Sequence, residues 1–185
     1  MKKIKEITDR DVLNRSLLSF KKAKISARSV LLDYELNIAI IHIRNWNAFS
    51  LPGGGVKGGE SVRGALKREM IEEAGCVIDI LGEIGSVYEN RAYGNFVQIS
   101  HYYLTMVRSE KSNPKMTRSE VKSGSELIWL SPEKAYEVIK NQRPSKNRYS
   151  LEFIKRRDLE VFQHLKISND ETAKLFRYII KIKNI

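Results

Sequence analysis

The feature that most constrains this chain is a cluster of five glycines within residues 53–59, set directly before a helical stretch over 61–74. Glycines at that density let the backbone take positive φ, approach a ligand closely and present N–H and C=O groups at a helix N-terminus. In the stretch that follows, Val62, Ala65, Leu66 and Met70 form an apolar stripe that must face a core. Glu69, Glu72 and Glu73 are spaced i, i+3, i+4. At helical pitch they share one face within an arc of roughly 100°. Three carboxylates at the edge of a buried stripe repel one another and lose hydration, which is costly unless a cation neutralises them. Clustered hard oxygens suit Mg²⁺ or Mn²⁺ rather than zinc. Arg68, four residues before Glu72, can pair with it and fix its direction. Gly75 is placed to end the helix in a left-handed conformation. Three glutamates at this spacing are more commonly a solvated acidic face; the glycine loop and the arginine are what argue for a site.

Around this segment the pattern predicts strands interspersed with helices. Residues 8–20 read as a helix, with Thr8 as N-cap, Asp11 three residues on, and a stripe of Val12, Leu13, Leu17 and Phe20. Two β-rich runs follow, Ser29–Leu32 and Asn37–Ile43, joined by the turn-like Asp33-Tyr34-Glu35-Leu36, and the run Trp46–Leu51 leads into the glycines. Residues 77–89 and 95–107 read as strands with a turn near Gly94-Asn95, 109–125 as a loop, and Glu126–Leu130 as a short strand. Ser131-Pro132 caps a helix to about Lys140. Loop 141–149 then precedes two helices, about 150–166 and 169–183. Strands alternating with helices argue for an α/β layered core.

The run from Gly54 to Cys76 resembles the Nudix box: Gly, five residues, Glu, seven residues, then Arg-Glu-apolar-any-Glu-Glu-any-Gly-apolar. Gly54, Glu60, Arg68, Glu69, Met70, Glu72, Glu73, Gly75 and Cys76 fill every specified position. Cys76 stands where an aliphatic residue is more usual, and a buried thiol behaves as a small hydrophobe. The resemblance is tight over 51–76 and looser from about 27 to 140. It implies an α/β/α sandwich with a mixed sheet, extended by an N-terminal helix and C-terminal helices. The corresponding division is a basic segment at 1–24, a hydrolase domain at 25–140, and a basic helical extension at 141–185 packed on that domain.

The same resemblance implies a metal-dependent hydrolase that cleaves a phosphoanhydride bond in a nucleoside diphosphate linked to another group. It assigns Glu69, Glu72 and Glu73 to the metal, assisted by a backbone carbonyl near Gly54, and Arg68 with Glu60 to a supporting ion pair. Gly54 and Gly55 would approach the substrate. The general base of such enzymes often lies before the last strand, and Glu120 and Glu126 both remain open for it. No proline occurs between 53 and 113, which speaks against ADP-ribose. Tyr93 stands 18 residues past Gly75, an offset that goes with dinucleoside polyphosphates, though one tyrosine among eight is thin support. A nucleoside 5′-triphosphate is the preferred substrate, with a dinucleoside polyphosphate next. A Nudix-fold module that binds RNA or a nucleotide without catalysis is the alternative of another class, and it is disfavoured because no box glutamate is lost.

Other chemistries fare poorly. His42, His101 and His164 show no metal-ligand spacing, and His42 lies in an apolar strand where a hydrogen-bonded core histidine is expected. Cys76 has no evident activating partner. As the single cysteine it points to a reducing, cytoplasmic setting. No apolar run is long enough to span a bilayer, and no h-region follows the basic start, so a signal peptide is not expected. The net charge of +11 is uneven: residues 1–28 carry nine Lys/Arg against three Asp/Glu, and 141–185 carry eleven against five. Residues 29–140 carry thirteen against fourteen. Basic flanks attract phosphate-rich partners, RNA among them, or serve only solubility. Leu151, Ile154, Phe162, Leu165, Phe176 and Ile179 are expected to pack the C-terminal helices on the core, leaving Lys155, Arg156 and Arg157 as an exposed cationic patch. The oligomeric state is open, a homodimer included.

Overall fold

The computed structural model describes residues 1–109, 111–145 and 148–167. Strand β1 (Lys3–Thr8) leads into the short helix α1 (Asp9–Leu13), followed by β2 (Lys24–Leu32) and β3 (Ile38–Ile43). Strands β4 (Ala48–Ser50) and β5 (Gly53–Gly55) precede helix α2 (Val62–Ala74). The long hairpin of β6 (Ile78–Arg91) and β7 (Phe96–Val107) is followed by α3 (Arg118–Ser123), β8 (Ser125–Leu130), α4 (Pro132–Asn141) and α5 (Arg148–His164).

All eight strands belong to one sheet with the path β1-β6-β7-β2-β3-β4, while β5 pairs with β2 and β8 with β3. The sheet is mixed: β1 runs parallel to β6 and β2 parallel to β7, and the remaining pairs are antiparallel. Side chains alternate across it. Ala27, Leu31, Tyr103 and Val107 face α2 and pack with Ala65, Leu66, Met70 and Ala74. Val30, Leu32, Tyr102 and Leu104 face the other way, onto Ala135 and Ile139 of α4 and Phe153, Val161 and Phe162 of α5. Each face buries a separate cluster, which makes the helix–sheet–helix sandwich. Among the described residues no helix is long and apolar enough to cross a membrane.

Several expected boundaries change. The 8–20 helix is a strand over 3–8 and a helix of five residues. The Thr8–Asp11 capping box forms, with the Thr8 N–H donating to Asp11 Oδ2 at 2.8 Å. Asn14 then turns left-handed (φ 54°) and ends the helix. The stripe proposed from Leu17 and Phe20 meets no core, and Phe20 is 96% exposed. Strand β1 escapes an alternation reading because it is an edge strand whose buried hydrophobe is Ile7. Strand β2 begins at Lys24 rather than Ser29, since its polar start is paired on both sides, to Gly53–Gly55 and to β7. The glycine cluster itself contributes β5, and the 109–125 loop contains α3, capped by Thr117. The expected helix over 169–183, with Phe176 and Ile179, lies outside the described residues.

The C-terminal packing is otherwise as the sequence suggests for Leu151 and Phe162, both buried, with Ile154 and Leu165 partly so. The expected exposed patch is not formed. Arg157 is 1% exposed. Its Nε donates to Asp158 Oδ1 at 2.9 Å, and its Nη1 lies 3.5 Å from Glu89 Oε2. Arg156 pairs with Glu152 at 3.0 Å. A run of three cations is thus divided by helical rotation: one turns inward, between the buried carboxylates of Glu89 on β6 and Asp158 on α5 itself.

Candidate active site

Helix α2 is set by local signals. Ser61 Oγ accepts the Gly64 N–H at 3.0 Å, and Gly75 turns left-handed at φ 63°. A Cβ at Gly75 would collide with the carbonyl of Ser112, so the chain there needs glycine for space as well as for φ. The apolar stripe of α2 fixes its rotation. That rotation aims Glu69 and Glu73 back toward the glycine strand β5, and each is only 8% exposed.

Strand β5 lies against the glutamates. The Gly53 N–H donates to Glu73 Oε2 at 2.6 Å. A Cβ at Gly54 would fall on the Glu69 carboxylate, within 2.6 Å of its Cδ, so glycine is required where the two elements meet. Burial raises the Glu73 carboxyl to about 8, helped by the charges of Glu69 and Glu120, while the Gly53 N–H and Arg28 pull it down. Burial likewise raises Glu69, with Arg68 opposing and Glu72 and Glu120 adding. These two carboxylates carry the electrostatic strain expected of a cation-binding cluster.

Arg68 sits in the middle. Its Nε and Nη2 reach Glu60 at 3.2 and 2.8 Å, and Nη2 also donates to the Gly55 carbonyl at 3.0 Å. Its Nη1 donates to Glu69 at 2.6 Å and Glu72 at 3.0 Å. Hydrogen bonding to Arg68 holds Glu60 down at about 2, and the reciprocal bond raises Arg68 above its ordinary range. The bidentate grip on Glu60 ties the loop to the helix. The charge at the centre of the carboxylates is this guanidinium, and among the described residues no three His, Cys, Asp or Glu side chains converge on a common point. The donor set nevertheless fits a hard divalent cation: two buried, strained carboxylates, a half-buried third in Glu72, and a bare glycine backbone against them. Arg68 can keep Glu60 and Gly55 when its Nη1 gives up Glu69 and Glu72.

The two candidates for a base are placed differently. Glu120 caps α3, accepting the Thr117 N–H at 2.6 Å and its hydroxyl at 2.8 Å, and its charge acts on both Glu69 and Glu73. Glu126 is engaged elsewhere, 3.0 Å from His42 Nδ1 and 3.5 Å from Arg44. His42 also stacks on Phe49 at 4.4 Å. Tyr93 is 68% exposed on the β6–β7 turn. Its N–H donates to Asp9 and its ring meets Tyr149 edge-on, neither of them part of the glutamate cluster.

Two contributors escaped the sequence reading. Arg28, on β2 opposite Gly53, donates through Nη1 to the Leu51 carbonyl at 3.2 Å, while its Nε is buried without a partner. Burial and the neighbouring Arg157 lower its pKa. Asp158 of α5 accepts the Leu51 N–H at 2.9 Å and the Tyr102 hydroxyl at 2.6 Å. Both residues hold the approach to the glycine strand. Nothing local in the sequence marks them, because their partners are distant along the chain.

The NUDIX domain pattern matches residues 27–153. Among curated proteins none matches the chain. A NUDIX hydrolase from Nitrosomonas europaea has the same fold, with a TM-score of 0.55 at 19% identity over 79% of this chain and 88% of that one. A MutT NUDIX hydrolase from Burkholderia pseudomallei gives 0.51 at 17% identity over 74% and 98%. A UDP-X diphosphatase gives 0.53 at 12% identity over 84% and 68%. At these identities the structural likeness is one of fold, and the domain pattern spans more than half of the sequence. The chain belongs to the Nudix family of hydrolases.

Proposed function

We propose that this protein is a metal-dependent pyrophosphohydrolase acting on a nucleoside 5′-triphosphate or a modified form of one. The observation that carries this reading is the pair Glu69 and Glu73, buried, pushed up by desolvation and by neighbouring carboxylates, and pressed against a strand whose Gly53 and Gly54 admit no side chain. Glu69, Glu72 and Glu73, with the Gly54 carbonyl, would hold Mg²⁺ or Mn²⁺, and Arg68 with Glu60 would orient them. Bound there, the ion would neutralise the diphosphate, polarise the phosphorus under attack and acidify the attacking water. Gly54 and Gly55 offer close backbone approach to the phosphates. Glu120 is favoured as general base because its carboxylate already acts on the cluster, whereas Glu126 is held by His42 and Arg44. A cytoplasmic location is proposed from the free, buried Cys76.

The test is phosphate or pyrophosphate release across a panel of nucleoside triphosphates, dinucleoside polyphosphates and nucleotide sugars. Turnover should vanish in excess EDTA, return with Mg²⁺ or Mn²⁺, and be fastest on a triphosphate. Undiminished turnover in EDTA would refute the metal mechanism, and a preference for dinucleoside polyphosphates would refute the substrate.

A further inference from the structure

Redistribution of the C-terminal cations leaves a different cluster. A cavity of about 720 Å³ lies between α1, residues 142–145 and the start of α5. No residue of α2 or of the glycine strand lines it. Three cations do: Arg143, Arg148 and Lys155. Neither the Arg143 nor the Arg148 guanidinium has a partner among the described residues, and Lys155 Nζ reaches only the Gln142 carbonyl at 3.5 Å. The carboxylate on the wall, Glu152, is taken by Arg156. Val12, Leu13 and Tyr149 add apolar and aromatic lining to the same cavity.

Several residues of the wall are held by hydrogen bonds. The buried Gln142 side chain bonds both the N–H and the carbonyl of Phe49, at 2.9 and 3.1 Å. Asn47 donates to the Arg143 carbonyl, and the Ser145 N–H to the Trp46 carbonyl. Tyr149 is held by its hydroxyl, which donates to Asp9 at 2.6 Å and accepts from the Gly94 N–H at 3.3 Å. On a chain of net charge +11 a single unpaired arginine means little. Three cations lining one cavity are different, because the carboxylate on its wall, Glu152, is paired with Arg156 and leaves their positive charge concentrated there. The first turn of α5 supplies two lining residues, so the positive end of that helix adds to the same field. Small-ligand sites run roughly 300–1,000 Å³, so this cavity exceeds what a lone phosphate needs and has apolar surface for the remainder.

We infer that this cavity is a second nucleotide site, distinct from the catalytic cluster, which binds a nucleoside 5′-phosphate: the phosphate between Arg143, Arg148 and Lys155, the base and ribose against Val12, Leu13 and Tyr149. The phosphate belongs either to a free nucleotide or to the 5′ end of an RNA strand; the chemistry of capture is shared. This inference is independent of the pyrophosphohydrolase reading.

Titration calorimetry of the full chain in EDTA tests it, because without metal the three glutamates repel phosphate and cannot bind the probe. AMP should bind saturably at one site, with Kd on the order of 10–100 µM at low salt, and adenosine at least tenfold more weakly. R143Q/R148Q should weaken AMP about tenfold or more, keep the wild-type melting temperature, and keep wild-type kcat on the preferred substrate with metal restored. A 5′-phosphorylated adenosine pentanucleotide serves as the second probe. If it binds and AMP does not, the source is RNA; if both bind, a free nucleotide suffices. The inference is overturned if neither probe saturates, if adenosine equals AMP, or if the double variant binds like the wild type.

Discussion

Glu73 meets two opposed demands. Its position on the apolar edge of α2 suits a neutral group, and burial has raised its carboxyl to about 8, while the metal-binding role proposed for it requires an ionised one. The folded, metal-free protein therefore holds a proton that the unfolded chain gives up near 4.5. That stabilisation is fully present below the unfolded value and is lost as pH rises from about 4.5 through 8. Metal-free protein should melt at a lower temperature at pH 8 than at pH 5. Glu73→Gln should flatten the difference and raise the melting temperature at pH 8, while costing on the order of 10²-fold or more in kcat. Thermal melts at the two pH values, paired with kinetics, check both halves; a variant less stable than wild type at pH 8 contradicts the account. Glu120 and Glu126 divide more simply. Glu120→Gln should lower kcat by about 10²-fold if it accepts the proton, and Glu126→Gln should leave kcat within a few-fold. The reverse order in steady-state rates would move the base to Glu126.

Helix α2 could be read from sequence because its signals are local: the serine cap, the stopping glycine, the stripe and the glutamates all lie within 61–75. Elements whose character depends on distant partners could not. Strand β1 exists because β6 pairs with it, Ile7 opposite Glu89, and no alternation of its own announces it. In α5, Lys155, Arg156 and Arg157 look alike in sequence, yet the last is buried by a carboxylate on β6 and by its neighbour Asp158. Substituting Arg157 should accordingly be costly. Arg157→Gln leaves Glu89 and Asp158 buried with one cation fewer and should destabilise the fold by about 3–5 kcal/mol. Urea unfolding measures it, and a loss below about 0.5 kcal/mol, the usual range for surface changes, would mean that Arg157 is exposed after all. Arg156→Gln is the control, expected within that surface range because its pair with Glu152 is partly solvated.

Over the whole molecule, charge and chemistry are laid out in opposite senses. The glutamate cluster proposed to hold metal is acidic, while the chain as a whole carries a net charge of +11. On the proposed function, an anionic substrate should be drawn in by the field of the basic chain before the metal engages it at close range. Raising ionic strength from about 10 to 150 mM shortens the screening length from roughly 30 to 8 Å. It should lower kcat/KM several-fold while leaving kcat unchanged, and a salt-independent kcat/KM would show that the basic flanks do not steer. The bond from Leu51 to Asp158 joins residues 107 apart, which gives it a meaning in time. A ribosome adds about 5–20 residues per second, so the backbone beside the glycine strand is made roughly 5–20 s before the carboxylate that anchors it. Once residue 76 is made, the nascent chain carries every residue from Gly54 to Cys76 and still lacks the carboxylate that anchors Leu51, so the segment before the glycine strand takes its final form only when α5 is made.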